Sequence, residues 1–323
     1  MTSLDRPLTI GGVTLPNRVF LAPMSGVSDL PFRTRAAKAG AGMVVSEMVA
    51  SAELCYRHRE SLLRLSGAGL GLHVVQLAGR EARWMGEAAR IAEAEGADVI
   101  DINMGCPAKK VTGGYSGSAL MRDLDHAMTL VEATVAAVKV PVTLKMRLGW
   151  DENSVNAPEL ARRAEAAGVA MVTVHGRTRC QFYEGRADWD AIRAVREAVT
   201  IPLTANGDVA TRADAAEILR RSGADAVMVG RAAYGRPWLP GEIAGKAAAP
   251  ASLLDYIVAH YEDMLAHYGV VTGVRHARKH LGWYIDRHAD AAAERARIMR
   301  LSDPAAVIEA LRAIFTEPVR KVA

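Results

Sequence analysis

Cys106 is a side chain whose surroundings in the sequence suggest chemistry. It lies in the segment Asp101-Ile-Asn-Met-Gly-Cys-Pro107, and the stretch after it (108–118) is rich in Lys, Gly and Ser. A thiol with a reference pKa near ~8.5 is mostly protonated at neutral pH, so it can donate a proton as well as act as a nucleophile. A glycine-rich neighbouring segment can act as a mobile lid. We therefore expect Cys106 to be catalytic, whereas Cys55 and Cys180 are ordinary packing thiols.

Polar side chains also end six consecutive β-rich segments. In Val142–Arg147, alternate residues form an apolar set and a polar set, and the polar set contains Lys145 and Arg147. Buried Lys, His and amide groups cost free energy unless they pair with one another or with a ligand. Such residues form either a satisfied polar network or the wall of a ligand site, and their convergence favours the ligand site. The six terminal residues are Glu47, Gln76, Asn103, Arg147, His175 and Asn206.

Glycine-containing turns follow the last two β-rich segments. They are Asn206-Gly-Asp208 and Gly230-Arg231. In a barrel of alternating strands and helices, the loops after strands seven and eight frequently hold a phosphate on exposed main-chain amides. We therefore expect a phosphorylated cofactor to bind at these turns.

The scaffold must bring these strand ends together. Eight short β-rich segments alternate with amphipathic helical stretches, which predicts an α/β fold of the (β/α)₈ TIM-barrel type. A doubly wound open sheet is the alternative, but no Gly-x-Gly-x-x-Gly turn follows any of these segments. The predicted strands are Val19–Leu21, Met43–Val45, Leu72–Leu77, Asp98–Asn103, Val142–Arg147, Ala170–His175, Pro202–Asn206 and Ala226–Val229. The predicted helices include Glu81–Glu95, Leu124–Val138, Ala157–Ala167, Trp189–Ala198 and Arg212–Arg221.

A change of composition divides the chain near residues 244–250. No strand pattern follows this Ala-, Gly- and Pro-rich stretch, and Ser252 and Asp303-Pro304 begin helical patterns. We predict a catalytic barrel over residues 1–245 and a small C-terminal helical bundle over residues 250–323. The bundle carries a locally basic run, made of Arg275, His276, Arg278, Lys279 and His280.

Composition sets outer limits on the function. The chain has 323 residues, a net charge of +4 and 50% hydrophobic residues, which excludes disorder and collagen-like repetition. The first 18 residues lack the apolar region of a signal peptide, and no stretch of about 18 apolar residues occurs, so we expect a cytoplasmic protein. Three scattered cysteines form neither a disulfide framework nor a Cys-x-x-Cys metal pair. The mild positive charge permits an anionic partner without requiring one.

The order of these motifs resembles that of bacterial tRNA-dihydrouridine synthases, most closely the B-type subgroup. The tail contributes Gly273-x-Arg275-x-x-Arg278-Lys-His-Leu-Gly-Trp-Tyr284, so the resemblance covers nearly the whole chain. The combination of Asn-Met-Gly-Cys-Pro with His-Gly-Arg-Thr-Arg is the most specific part of it. The other matching elements are Ala22-Pro-Met-Ser-Gly26, Gln76-Leu77, Lys145-Met-Arg147, His175-Gly-Arg-Thr-Arg179, Asn206-Gly-Asp208 and Gly230-Arg-Ala232.

The resemblance implies an FMN-dependent, NADPH-driven reduction of the C5–C6 double bond of particular uridines in tRNA, in the D-loop. It makes Cys106 the acid that protonates C5 and places Asn103 close to the uracil. A cation such as Lys145 stabilises the anionic reduced flavin. The implied cofactor-binding residues are Pro23, Met24, Ser25, Gln76, Lys145, His175, Asn206, Gly207, Asp208, Gly230 and Arg231.

The resemblance also makes tRNA the partner. A stacked uridine must be extruded to reach a barrel mouth, which costs a few kcal/mol of unstacking, and contacts with the RNA backbone must offset that cost. The helical bundle is then the tRNA-binding domain. The candidate tRNA contacts besides Asn103 are Lys109, Lys110, Arg147, Arg177, Arg179, Arg275, Arg278 and Lys279.

Two other classes of function remain open from the sequence. A flavin barrel that reduces a small molecule, of the dihydroorotate or enone type, explains the cofactor residues equally well but gives the tail no role. A non-catalytic RNA-binding or regulatory protein predicts a damaged cofactor site, whereas every flavin position that the resemblance implies is intact. We expect no metal and no obligate protein partner, and the preference for NADPH rests on the resemblance alone.

Overall fold

The computed structural model describes residues 3–316. Its strands, in chain order, are β1 (Leu8–Ile10), β2 (Val13–Leu15), β3 (Val19–Leu21), β4 (Met43–Val44), β5 (Val49–Ala50), β6 (Val74–Ala78), β7 (Val99–Met104), β8 (Val142–Arg147), β9 (Met171–His175), β10 (Leu203–Asn206) and β11 (Ala226–Val229). The helices of the first part are α1 (Leu30–Lys38), α2 (Ser51–Cys55), α3 (Arg59–Leu65), α4 (Ala82–Ala94), α5 (Lys109–Thr112), α6 (Leu124–Val135), α7 (Ala157–Ala166), α8 (Arg193–Ala198), α9 (Arg212–Ser222) and α10 (Leu239–Ala244). The tail contains α11 (Leu253–Tyr268), α12 (Val270–His288), α13 (Ala292–Ile298) and α14 (Pro304–Thr316).

Nine of the strands form one parallel sheet that curls into a barrel. The order is β4-β3-β11-β10-β9-β8-β7-β6-β5. The strands β4 and β5 are two pieces of one barrel position, because Val45, just after β4, forms a parallel bridge with Val74 of β6. The barrel therefore closes with eight positions, and the predicted (β/α)₈ fold class is confirmed.

Alternation along the strands separates an outer core from the barrel interior. In β8, Leu144 and Met146 pack in the large cluster with the surrounding helices, whereas Thr143 and Arg147 are buried on the other face. This confirms the face assignment from the sequence, since successive side chains of a strand point to opposite faces.

A hairpin that the sequence analysis did not predict packs with the interior of the barrel. Strands β1 and β2 pair antiparallel, and Gly11 and Gly12 between them have positive φ values of 51° and 94°. Two glycines between alternating strands are a hairpin signal. The hairpin's Ile10 and Leu15 pack against interior residues of the strands such as Phe20. They provide the apolar contacts of this end of the core.

Predicted helices and observed helices agree except at their ends. Helix α9 begins with a capping box between Thr211 and Asp214, which satisfies free amides of its first turn. Helix α8 begins at Arg193, four residues later than predicted. The reason is that Trp189 is outside the helix and donates its Nε1–H to the carbonyl of Gly207, 2.9 Å away.

The tail helices form a second apolar cluster. Ser252 caps α11 by accepting the N–H of Asp255, as its position in the sequence suggested. The cluster is centred on Ile257, Tyr261 and Tyr284 but also contains Trp238, which precedes α10. The domain boundary at 245–250 therefore stays a prediction, and residues 317–323 of the predicted bundle lie outside the described residues. None of the helices in the described part of the chain is long and apolar enough to cross a membrane.

Candidate active site

A cleft of about 540 Å³ opens at the C-terminal ends of the barrel strands. Strand ends and the loops after them converge there because all barrel strands run in parallel. The sequence-predicted residues that line it are Pro23, Met24, Ser25, Gln76, Asn103, Cys106, Lys145, Arg147, His175, Asn206, Gly207, Asp208, Gly230 and Arg231. The predicted residues outside its lining are Lys109, Lys110, Arg177, Arg179, Arg275, Arg278 and Lys279. Among residues 3–316, no cluster of side chains could hold a metal ion.

Three buried side chains from β6 and β7 are hydrogen-bonded in series. Asp101 accepts the Nε2–H of Gln76 at 2.7 Å, and the Gln76 carbonyl accepts the Nδ2–H of Asn103 at 2.7 Å. Asp101 also accepts the hydroxyl of Thr143 at 2.6 Å. The sequence placed Asp101 and Thr143 on the interior face but gave them no role.

Cys106 is held in a tight turn directly after β7. Its main-chain N–H donates to Oδ1 of Asn103 at 3.1 Å, and its carbonyl accepts the hydroxyl of Ser118 at 2.8 Å. Burial raises the pKa of the Cys106 thiol and outweighs the nearby charges of Arg147 and Lys145, which favour the thiolate. The thiol is therefore protonated at neutral pH.

Lys145 of β8 is a half-buried cation at the cleft wall. Its Nζ donates to Oδ1 of Asn206 at 3.1 Å, and Asn206 donates its Nδ2–H to the carbonyl of Met228 at 2.8 Å. Desolvation and the adjacent Arg147 lower the pKa of Lys145 to about 8. A protonated Lys145 thus has one protein acceptor and can donate to a further one in the cleft.

His175 ends β9 and is 8% exposed. Burial, together with Arg147, Lys145 and Arg177, lowers the pKa of His175 well below its usual value. The Nη1 of Arg177 lies 3.3 Å from Nε2 of His175, and because guanidinium can only donate, this Nε2 is the acceptor. His175 is therefore a neutral imidazole at neutral pH.

Arg177 and Asp208 form a two-point ion pair. The guanidinium is 1% exposed and donates to both carboxylate oxygens, at 3.0 and 2.6 Å. It also donates to the carbonyls of Glu184 and Gly185, at 3.0 and 2.7 Å. Desolvation alone raises the pKa of Asp208, but hydrogen bonds from Arg177 and Ala187 and the guanidinium charges outweigh it and lower that pKa. The ion pair fixes the loop after β9 against the turn after β10.

Arg147 is as deeply buried as Arg177. Its Nε donates to the carbonyl of Gly105 at 2.8 Å, and its Nη1 donates to the carbonyls of Thr178 and Phe182, each at 2.8 Å. Arg147 thereby joins the turn of Cys106 to the loop after β9. Arg147 and Arg177 were both predicted to contact tRNA, yet each is 1% exposed and engaged by protein oxygens.

The other predicted RNA contacts lie at different places. Lys109 and Lys110 are exposed on the short α5, and Arg179 lies 4.6 Å above the rings of both Trp150 and Phe182. A hydrogen bond from Arg179 to α5 links the loop after β9 to the helix that carries the two lysines.

The three predicted contacts of the tail are at positions i, i+3 and i+4 of α12, on one side of the helix, but they differ in exposure and in partners. Arg275 is exposed, Arg278 donates to the carbonyl of Leu301 at 3.1 Å, and Lys279 is half-buried. Burial lowers the pKa of Lys279, and the carboxylates of Asp29 and Glu47 partly offset that effect.

Several residues of the cleft wall were not predicted. Tyr183 is 49% exposed, and its ring lies 4.5 Å from the guanidinium carbon of Arg231 and 5.3 Å from that of Arg147. Met48 and Tyr234 also line the cleft. Their sequence signal is weak because they lie in irregular segments, where no period assigns a side chain to one face.

The donors and the shape of the cleft fit the expected FMN. A Cβ on Gly230 would have only the Ala22 side chain, at 3.9 Å, within 4 Å, so the backbone here is open to a ligand. Among the described residues, no main-chain acceptor pairs with the N–H groups of Gly207 and Gly230. With exposed Arg231 beside them, these groups suit a phosphate. Lys145 supplies a further cation at the wall of the same cleft.

Comparisons of the sequence identify relatives of one kind. The family model described as "Dihydrouridine synthase (Dus)" matches residues 20–318. A "Probable tRNA-dihydrouridine synthase" from Rhizobium leguminosarum bv. phaseoli is 66% identical, covering 90% of this chain and 93% of that protein. One of the same name from Rhodobacter capsulatus is 54% identical over 96% of this chain and 98% of its own. A "tRNA-dihydrouridine synthase B" from Xanthomonas axonopodis pv. citri is 46% identical, with coverage of 95% and 96%.

Comparisons of the structure find the same barrel in distant proteins. TcOYE, solved with pHBA, superposes with a TM-score of 0.57 at 15% identity, covering 76% of this chain and 93% of its own. An old yellow enzyme homologue from Zymomonas mobilis gives 0.54 at 17% identity, with coverage of 77% and 94%. At these identities the similarity establishes the fold alone. The family follows from the sequence relatives and the family model, which together span nearly the whole chain: the protein belongs to the dihydrouridine synthase family.

Proposed function

We propose that this protein is a tRNA-dihydrouridine synthase that reduces the C5–C6 double bond of uridine in the D-loop of tRNA, with FMN as cofactor and NADPH as electron donor. The names of its relatives support the substrate, and their similarity extends over 90% or more of this chain. The observation that carries the chemistry is that one cleft contains both the protonated thiol of Cys106 and the residues suited to a flavin nucleotide.

The cleft residues bind FMN in two groups. The first group binds the phosphate through the main-chain amides of Gly207 and Gly230 and the guanidinium of Arg231. Asp208 orients the guanidinium groups of Arg177 and Arg231. The second contacts the ring system and the ribityl chain. It consists of Pro23, Met24, Ser25, Gln76, Lys145, His175 and Asn206.

FMN held by these residues would, in its reduced form, supply a hydride for C6 of the uracil. Negative charge then builds up on C5 and O4, and Cys106 donates its proton to C5. The S–H bond breaks as the C5–H bond forms, so the thiol becomes a thiolate that a solvent proton later restores. Arg147 and Lys145 stabilise that thiolate, since their charges favour the ionised sulfur. The net reaction consumes one NADPH and one proton for each uridine.

A neutral His175 keeps the site from accumulating excess positive charge. Lys145, Arg147 and Arg177 already bring three cations close to the imidazole, and these charges help to lower the pKa of His175. A neutral imidazole can still donate one N–H to the cofactor through Nδ1, because Nε2 is the acceptor for Arg177. Asn103 lies in the same cleft, where it can hydrogen-bond the uracil edge.

The test is reconstitution with defined substrates. Purified protein loaded with FMN is incubated with NADPH and an unmodified tRNA transcript, and nucleosides are analysed by mass spectrometry. We expect a product heavier than uridine by two hydrogens. Reduction of dihydroorotate-type or enone substrates without any reaction of tRNA would instead establish a small-molecule oxidoreductase. A colourless protein that cannot be loaded with FMN would support a non-catalytic RNA-binding role.

A further inference from the structure

A continuous series of hydrogen bonds connects the buried carboxylate of Asp101 with the turn of Cys106. We infer that Asp101 is a positioning residue for the proposed reaction: acting through Gln76 and Asn103, it fixes the main-chain turn that carries the Cys106 thiol. The inference rests on the proposed function for its meaning, but the series itself lies within β6, β7 and the turn after β7.

The carboxylate of Asp101 is completely engaged. The residue is 4% exposed, its Oδ1 accepts from Thr143 at 2.6 Å, and its Oδ2 accepts from Gln76 at 2.7 Å. Each oxygen therefore has a partner within the protein. Asp101 also does not line the cleft, so it can influence the chemistry only through its neighbours.

The direction of the hydrogen bonds is determined at both ends. A carboxylate accepts, so the amide nitrogen of Gln76 faces Asp101 and its carbonyl faces Asn103. Asn103 must then present its nitrogen to Gln76 and its carbonyl to the turn, where the N–H groups of Gly105 and Cys106 donate at 3.3 and 3.1 Å. Two side-chain amides that could each turn over are thereby held in one orientation.

The turn after β7 disfavours the opposite orientation of the Asn103 side-chain amide. If Asn103 turned over, its NH₂ group would face the N–H groups of Gly105 and Cys106, and both would lose their acceptor. A part-buried N–H that loses its acceptor destabilises the turn. Burial raises the pKa of Asp101, and the hydrogen bonds from Thr143 and Gln76 and the charge of Lys145 offset part of that effect.

The consequence concerns the position of the sulfur. Proton transfer requires the donor within hydrogen-bond reach of the accepting atom, and a misplacement of about 1 Å can cost ~100-fold in rate. Without Asp101, Gln76 has no fixed partner on that side, Asn103 can rotate, and the turn of Cys106 loses its anchor.

The experiment compares substitutions that keep or remove the acceptor. Asp101→Asn retains a carbonyl for Gln76 and places its NH₂ against Thr143, whose hydroxyl can accept. Asp101→Val removes the acceptor and puts an apolar side chain in its place. We expect Asp101→Val to lower kcat for uridine reduction about 10- to 100-fold, with KM for tRNA and the rate of flavin reduction by NADPH within about threefold. For Asp101→Asn, the kcat, the KM for tRNA and the rate of flavin reduction should all stay within about threefold of wild type.

A second readout does not depend on tRNA. In a background with Cys55→Ser and Cys180→Ser, the rate of alkylation of Cys106 by iodoacetamide reports how exposed and how ionised that thiol is. Asp101→Val should raise this rate several-fold, and Asp101→Asn should restore it. The matched control is Thr143→Val, which removes the other hydrogen bond of Asp101 but leaves the series to Cys106 intact, and it should leave the rate unchanged.

A double-mutant cycle tests whether Asp101 acts through Asn103. In an Asn103→Ala background the series is already interrupted, so adding Asp101→Val should not change the alkylation rate further. Additive effects, a wild-type alkylation rate in Asp101→Val, or an Asp101→Asn variant as impaired as Asp101→Val would each overturn the inference. If Asp101→Val yields no soluble protein, Asp101→Ser replaces it, because a serine hydroxyl is too short to reach Gln76. Failure of the wild-type enzyme to reduce tRNA would refute the proposed function and leave the alkylation test intact.

Discussion

Two regions of this chain are rich in predicted functional cations, and the structure arranges them in opposite ways. At the barrel mouth, Arg147 and Arg177 are buried and Lys145 is half-buried, and each donates to protein oxygens on or beside a single cleft. In the tail, the side chains of the basic run at residues 275–280 lie in different surroundings. The mouth is a preorganised site, whereas the tail run offers one fully exposed arginine.

The tail run shows how differently neighbouring residues of a helix are used. Arg275 is exposed, Arg278 bonds the carbonyl of Leu301, and Lys279 is half-buried near Asp29 and Glu47. His280 is 2% exposed, and burial lowers the pKa of His280 to about 3, so it is neutral at physiological pH. A dense run of basic residues in the sequence therefore does not form a dense patch of positive charge.

The physical difference lies in what determines whether a side chain reaches a shared surface. Parallel strands end at one rim, so the last inward residue of each strand reaches the same cavity whatever the distance in sequence. On α12 the three predicted cations are at positions i, i+3 and i+4 and therefore lie on one side of the helix, but the rest of the protein covers that side unevenly, so Arg278 and Lys279 are half-buried and Arg275 is exposed. Sequence proximity is therefore a poor guide on α12, and strand position is a good guide in the barrel.

The largest effect that we predict is at the mouth, for Cys106→Ala. Removing the proton donor should lower the rate of uridine reduction by about 10²–10⁴, the usual contribution of a positioned general acid. FMN binding and NADPH oxidation should remain, because the flavin-binding residues are untouched. Dihydrouridine measured by mass spectrometry, together with NADPH consumption at 340 nm, separates the two half-reactions.

Cys180→Ala is the matched control for this variant. Cys180 is exposed and does not line the cleft, so its loss should not change either half-reaction. Equal product yields from Cys106→Ala and wild type would remove the thiol from the mechanism and show that another group at the mouth donates the proton.

A second effect at the mouth depends on pH. Lys145 is charged below pH about 8, the value to which its pKa falls in the buried site, and it loses that charge as pH rises further. A hydrogen bond from a charged donor contributes about 1.5–3 kcal/mol, so FMN affinity should weaken at least tenfold as pH rises through about 8. Lys145→Met should bind FMN weakly and with little dependence on pH over the same range. Quenching of FMN fluorescence measures both affinities.

Lys109→Met supplies the comparison for that substitution. Lys109 is exposed on α5 and does not line the cleft, so this variant should keep the wild-type pH dependence. A pH profile that persists in Lys145→Met would assign the titration to another group.

The fold was largely predictable because alternation and length determine barrel strands locally. All eight predicted strand positions are present in the barrel. The segment from Met43 to Ala50 is the exception, since one barrel position is split there and Val49–Ala50 forms a second piece. The split depends on pairing with β6, a contact that is distant in sequence.

The site was predictable where strand alternation assigns a side chain to the interior. Gln76, Lys145 and Asn206 meet this condition and line the cleft. The surroundings of Arg177 could not be predicted, because they depend on the path of the loop after β9. Gly176 approaches Asp188 so closely that an added Cβ would lie 2.6 Å from its carbonyl oxygen. With this close contact, the loop covers the guanidinium of Arg177. No pattern in the sequence predicts that path of the loop.

The smallest effect distinguishes the three tail cations from one another. If tRNA contacts the exposed face of α12, Arg275→Ala should reduce the slope of log Kd against log salt by about 0.7–0.9, the equivalent of one phosphate contact. Arg278→Ala should leave that slope unchanged and instead lower Tm, because a hydrogen bond worth about 1 kcal/mol to Leu301 is lost. Filter binding over a series of salt concentrations and a thermal melt of each variant give the two quantities. An equal change of slope in both variants would mean that tRNA binding draws Arg278 away from Leu301, and the contrast between mouth and tail would then hold only for the free protein.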